Sequence, residues 1–160
     1  MDEEKKIEAI VKEDIVFRDM LAAKKSVTNI TATEEKISVL LVEDDKFLRE
    51  LLVRKLISDG FDVRNAGDGK SALLVLAEFK PKIILLDLIL PEADGFVILA
   101  QIKRDPTLSN IPVIILSNLG QKEDLEKATA MGAKDFMIKS NFTLDEISAK
   151  ARLIANGGKN

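Results

Sequence analysis

The chain has 160 residues, 46% of them apolar and 32% charged, with a formal net charge of −3; this is the balance of a soluble globular protein with room for one domain and an appendage. With no Cys and no His, disulfides, thiolate metal sites, Ser-His-Asp arrangements and the commonest general base are excluded, leaving carboxylates, Lys and hydroxyls for any chemistry. No uncharged apolar run reaches the roughly 18 residues of a spanning helix, the acidic start lacks a signal-peptide pattern, and net negative charge argues against nonspecific nucleic-acid binding, so a cytoplasmic protein with no membrane or nucleic-acid partner is expected.

Residues 1–36 read differently from the rest. Ile7, Ile10, Val11, Phe17, Met20 and Leu21 recur at near-helical spacing between charged neighbours, predicting an amphipathic helix to about Lys25. Its apolar stripe needs a partner, which makes packing on the following domain or a homodimer the expected roles. Residues 26–33 are rich in Ser, Thr and Asn, whose side chains compete for backbone hydrogen bonds, so a linker is expected there.

From residue 37 the pattern becomes regular, and residues 37–156 are expected to form one domain with a short tail, 157–160. The apolar run 37–42 has the length of a strand buried on both faces. Leu48, Leu51, Leu52 and Leu56 share one face of the helix that follows, with Gly60 past its end. Residues 61–66 predict a second strand, and Ala72, Val75, Leu76 and Phe79 the buried face of a second helix that stops before Pro81. A third strand spans 83–86. Asp94 can cap a third helix that turns Phe96, Leu99 and Ala100 inward and ends before Pro106. Residues 113–116 form the fourth strand; Leu125, Ala128 and Met131 mark a fourth helix with Gly132 beyond it; residues 136–138 form a short fifth strand. The last helix opens on a capping box, Thr143 and Glu146, and presents Leu144, Ile147, Ala151 and Ile154. Five strands alternating with five helices predict an α/β fold with a parallel sheet covered on both faces. Such folds bind ligands at the carboxyl ends of their strands.

At those ends stand Glu43, Asp44 and Asp45 after the first strand and Asp87 after the third. Two unit charges about 4 Å apart repel by roughly 4 kcal/mol at an effective dielectric of about 20. A converging carboxylate cluster therefore needs a cation or raised pKa values. Mg²⁺, which takes one or two carboxylates plus waters and phosphate oxygens, suits it. Ser117 ends the fourth strand and can donate to an oxyanion; Lys139 ends the fifth and brings a mobile positive charge. Each residue alone has a plain alternative: the three acids as helix caps, Asp87 as a turn residue before Leu-Pro, Ser117 as a loop hydroxyl, Lys139 as solvated surface. Their joint placement on one edge of one sheet makes independent coincidence a poor explanation.

Four segments then resemble those of a known family. The string 39–45, Val-Leu-Leu-Val-Glu-Asp-Asp, with Arg49 after it, resembles the acidic first-strand motif of the receiver (CheY-like) domains of bacterial two-component response regulators. Residues 83–95, with Asp87, Pro91 and Asp94-Gly95, resemble that family's phosphorylation motif; 113–117 its switch strand ending in Ser or Thr; and 132–139 its fifth-strand segment ending in Lys. The resemblance covers nearly all of residues 37–154. It implies a flavodoxin-like five-stranded sheet of order 2-1-3-4-5, with Asp87 as phosphoacceptor and Ser117 and Lys139 as the groups that meet the phosphoryl oxygens. Receivers place a basic residue five positions after their second acid, and Arg49 stands five after Asp44, so Glu43 and Asp44 become the metal pair and Asp45 a first-turn acid. Asp87 and the backbone carbonyl of Ile89 complete the implied Mg²⁺ (or Mn²⁺) set.

The implied partner is a sensor histidine kinase or a histidine phosphotransfer protein, with a downstream protein whose identity the sequence does not carry. Lacking His, the chain cannot itself be the phosphohistidine donor. Phe136 occupies the family's aromatic switch position and serves equally as an ordinary core Phe. Ser140 stands where the family usually has Pro, and a trans bond is expected, since a non-proline cis bond costs about 2.5–4 kcal/mol. Only residues 156–160 follow the last helix, so output through a protein surface is expected. Three other classes compete: an adaptor on a receiver fold that does not use phosphorylation; a haloacid-type hydrolase, which expects Asp where Ile89 stands; and a dinucleotide-binding enzyme, which needs a Gly-rich turn where Glu43-Asp44-Asp45 stands.

Overall fold

In the computed structural model, which describes residues 35–118 and 120–158, the run that opens the domain forms strand β1, Ser38–Val42. The amphipathic helix and linker expected before residue 35, and the end of the tail, lie outside the described residues. The chain divides between Glu35 and Lys36 into two units, and every described element lies in the second. Helix α1, Lys46–Ser58, follows β1; then come β2, Asp62–Ala66, and α2, Gly69–Glu78. Strand β3, Ile83–Leu86, leads to α3, Gly95–Arg104. Strand β4, Val113–Ser117, and α4, Lys122–Ala130, precede β5, Asp135–Ile138, and α5, Leu144–Ala155.

The strands pair in parallel in the order 2-1-3-4-5, the flavodoxin-like arrangement. Side chains alternate across the sheet with period two. Leu40, Val42, Ile84, Leu86, Val113 and Ile115 enter one core layer with Ala72 and Leu76 of α2, Phe96, Leu99 and Ile102 of α3, and Ala128 of α4. Val39, Leu41, Ile83, Leu85, Ile114 and Leu116 enter the other, with Leu52 and Leu56 of α1 and Ile147, Ala151 and Ile154 of α5. Burial on both faces explains why β1 and β3 read as continuous apolar runs.

The helix signals act as their chemistry requires. Asp68 accepts from Ser71 N at 2.7 Å, and Asp94 from Phe96 N at 2.9 Å. The capping box forms in both directions, Thr143 and Glu146 each accepting from the other's backbone N–H at 3.1 Å. Gly60 and Gly132 take positive φ values, 93° and 99°, just past their helices, as helix ends favour.

Two small elements differ from expectation. Ile89–Leu90 and Ala93–Asp94 form a two-residue antiparallel pair between β3 and α3, too short to leave a periodic pattern. Lys139–Asn141 forms a 3₁₀ turn after β5. Among the described residues there is no cis peptide bond, in keeping with the trans bond expected at Ser140, and no helix is long and apolar enough to cross a membrane.

Candidate functional site

Parallel pairing brings the four strand ends of interest to one edge. Glu43 N donates to Ala66 O at 3.0 Å and Asp87 N to Val42 O at 3.0 Å, so the sheet ladder carries the backbone one residue past the ends of β1 and β3. Both acids are consequently deep in the edge, Glu43 1% and Asp87 4% exposed, while Asp44 is exposed. Glu43, Asp44 and Asp87 each turn a carboxylate oxygen inward, and these three atoms lie within 4.8 Å of one another.

Lys139 reaches this cluster from the far side. Its Nζ lies 2.7 Å from Asp87 Oδ2 and 2.5 Å from Glu43 Oε2. Burial pulls the Lys139 pKa down, but its bonds to Asp87 and Glu43 and their charges outweigh that, and the net displacement is upward. Glu43 is displaced upward too, chiefly by burial and further by the Asp87 charge, against the lowering effect of Lys139 and of the Asp45 N–H. Glu43 Oε1 accepts from Asp45 N at 3.2 Å. Its Oε2 is buried against the Lys139 ammonium.

The three clustered carboxylate oxygens test the site's fit to a divalent cation. Three carboxylates against one ammonium leave two uncompensated negative charges, which one Mg²⁺ or Mn²⁺ would balance, and an all-oxygen donor set suits such hard cations. The residues fit the ion.

Ser117 is fully buried at the end of β4 and pairs in register with Ile138, the neighbour of Lys139, so it stands on the same edge. Ile89 N donates to Asp87 Oδ1 at 3.1 Å, which ties the acceptor carboxylate to the turn after β3; the Ile89 side chain is exposed. Asp45 is not in the cluster. It is the cap just before α1, accepting from Leu48 N at 3.0 Å, rather than an acid within the first turn. Phe136 is half-buried and packs against the first core layer.

Two residues that the motifs include, Gly95 and Arg49, make contacts that the sequence did not foresee. Gly95 closes on the acceptor loop so tightly that a Cβ there would stand 2.4 Å from Leu88 Cα and 2.5 Å from Asp87 O. Arg49 donates to Glu43 O at 2.7 Å. Both are contacts with main chain, which no side-chain pattern announces.

The family model of the response regulator receiver domain matches residues 39–152. Among curated proteins, the DNA-binding dual master transcriptional regulator RpaA of Synechocystis is 34% identical over 116 residues, covering 72% of this chain and 48% of RpaA. The chain thus spans about half the length of that relative. Among solved structures, the phosphorylated cyanobacterial phytochrome response regulator RcpA is 31% identical at a TM-score of 0.64, covering 77% of this chain and 91% of its own. The Mn²⁺-bound form of response regulator Rcp1 is 28% identical at a TM-score of 0.62, covering 72% and 90%. With this match over most of its length and the parallel sheet of order 2-1-3-4-5, the chain belongs to the response regulator receiver family.

Proposed function

We propose that this chain is a receiver that takes a phosphoryl group onto Asp87 from a phosphohistidine on a sensor histidine kinase or phosphotransfer protein, and signals through phosphorylation-dependent protein contacts. The observation that carries the proposal is the meeting of Glu43, Asp44, Asp87 and Lys139 at one sheet edge. Glu43, Asp44, Asp87 and the Ile89 carbonyl would hold Mg²⁺ or Mn²⁺. When bound, that ion would supply positive charge for phosphoryl oxygens that the three carboxylates would otherwise repel.

The chain's own residues do the rest. Asp87 Oδ attacks phosphorus in line with the leaving imidazole nitrogen; the O–P bond of an acyl phosphate forms as the N–P bond breaks, and the imidazole leaves on the donor. Lys139, already 2.7 Å from Asp87 Oδ2, can follow the charge as it moves from carboxylate to phosphoryl oxygen. A preorganised cation of this kind needs little rearrangement during reaction. Ser117 donates its hydroxyl to another phosphoryl oxygen. Hydrolysis of the acyl phosphate by water returns the carboxylate and releases phosphate.

The proposed organisation is an appended segment 1–36, the receiver 37–156 and a tail 157–160, with a homodimer through the segment as one output. Incubation with a phosphorylated histidine kinase or phosphotransfer protein tests the function. Label should pass to the full chain and not to Asp87→Asn; transfer that ignores the substitution would refute the role of Asp87. Light scattering of the full chain against one starting at residue 36 tests the segment, and an unchanged oligomeric state would count against self-association.

A further inference from the structure

We infer that Arg49 is a positioning residue for the Glu43–Asp44 carboxylate pair, bonded to their main-chain carbonyls in the room left by the bare α-carbon of Gly67. The inference rests on the metal-binding reading proposed for that pair.

Arg49 lies in the first turns of α1, half-buried. Its Nη1 donates to Glu43 O at 2.7 Å and lies 3.4 Å from Asp44 O. The peptide entering Glu43 is fixed by the sheet, through Glu43 N and Ala66 O at 3.0 Å. The peptide leaving Glu43 is past the end of β1 and is bonded through its carbonyl to the guanidinium. Rotation of that peptide would carry the Asp44 side chain away from Glu43 and Asp87, so the guanidinium fixes where the exposed member of the pair points. A charged donor on a carbonyl makes one of the stronger hydrogen bonds available, and it offsets the carbonyl's partial negative charge beside an already acidic cluster.

Gly67 explains how the guanidinium fits. A Cβ on Gly67 would stand 3.0 Å from Arg49 Nη1 and 3.5 Å from its Cζ. The φ of Gly67 is not in the left-handed region, so its backbone does not require glycine. What glycine provides is room for the guanidinium, between the turn after β1 and the turn after β2, so that any side chain there would press on it. Two residues 18 positions apart in sequence thus serve one contact.

Removing Arg49 outright would confuse two effects, because losing its positive charge favours a cation while losing its hydrogen bond loosens the ligands. Charge-preserving variants separate them. Gly67→Val displaces the guanidinium, and Arg49→Lys replaces a planar fork by a point donor. Mn²⁺ binding to the full chain, read by electron paramagnetic resonance of the free ion, should weaken about tenfold in each variant, the low end for groups that support metal ligands from behind. The phosphorylation rate from acetyl phosphate at saturating Mg²⁺ should fall by less than the affinity does, a split that general loosening of the fold would not produce. If Gly67→Val fails to fold, Gly67→Ala, whose Cβ meets only the movable end of Arg49, should show a smaller loss in the same direction. Unchanged Mn²⁺ affinity in the folded variants would overturn the inference. Absence of Mn²⁺ binding in the wild type would instead overturn the metal reading beneath it.

Discussion

Lys139 Nζ lies 2.7 Å from Asp87 Oδ2 although 52 residues separate them in sequence. The contact exists because β3 and β5 flank β4 in one parallel sheet, so side chains that leave their ends meet over the end of β4. Replacing Lys139 by Ala removes the cation that faces the developing phosphoryl charge. Phosphorylation of Asp87 should slow about 10²-fold or more, the usual cost of deleting one preorganised transition-state donor. Rates from acetyl phosphate at saturating Mg²⁺ check this, and a near-normal rate would reduce Lys139 to a structural counter-ion.

Gly95 couples the fold to the acceptor. Its N donates to Leu88 O at 2.8 Å, and a Cβ would collide with Leu88 Cα and Asp87 O, main-chain atoms that cannot swing aside. Gly95→Ala should destabilise the domain by about 1–3 kcal/mol, the usual range for forced overpacking, and slow phosphorylation by displacing the Asp87 loop. With no Trp or Tyr in the chain, urea unfolding is best followed by circular dichroism. A stability equal to the wild type would contradict the contact.

Glu92 is the one described residue other than glycine with positive φ, 62°. It sits in the turn of the two-residue antiparallel pair, after Pro91, where a left-handed conformation burdens any residue with a Cβ. Glu92→Gly should stabilise by about 0.5–1 kcal/mol, the relief of strain exceeding the added unfolded-state entropy. The same urea titration decides it, and a loss of stability would show that the Glu92 side chain has a role beyond the turn.

Acid should weaken the junction of α1 and α5. Asp59 Oδ2 accepts from Ser148 Oγ at 2.5 Å and pairs with Lys55 at 3.3 Å, while Arg152 donates to Asp59 O. The Ser148 hydroxyl first, then Lys55 and Arg152, hold the Asp59 carboxyl below its ordinary 3.8 in spite of some desolvation. A carboxyl lowered on folding contributes stability that is complete above its unfolded pKa and is lost as pH falls below it through the folded value. Urea midpoints should therefore drop as pH falls below the ordinary carboxyl value of 3.8, and drop less in Ser148→Ala. An equal drop in both would remove Asp59 from the acid response.

Much of this was legible in the sequence because strands and helices announce themselves by period. Ile83–Leu86 was read to its exact bounds from an apolar run after Pro81, and Asp94, Thr143 and Glu146 act as the caps their chemistry suggested. The strand-end rule located Glu43, Asp44 and Asp87, and the structure gathers all three. Asp45 went to the cap instead of the first turn because three adjacent acids offer no periodic signal to set the boundary of α1. The Lys139–Glu43 ion pair, the Gly95 contact and the Arg49–Gly67 contact depend on which strands are neighbours and how closely main chains pass. Those are properties of the assembled sheet, not of any local stretch of chain.

The central claim is that Asp87 carries the phosphoryl group, and intact mass tests it most directly. The full chain incubated with Mg²⁺ and acetyl phosphate should gain one phosphoryl group, lose it by hydrolysis over time once the donor is removed, and show no gain at all as Asp87→Asn. A wild-type chain that gains no adduct from acetyl phosphate or from a phosphorylated kinase, or an adduct that persists in Asp87→Asn, would contradict the account.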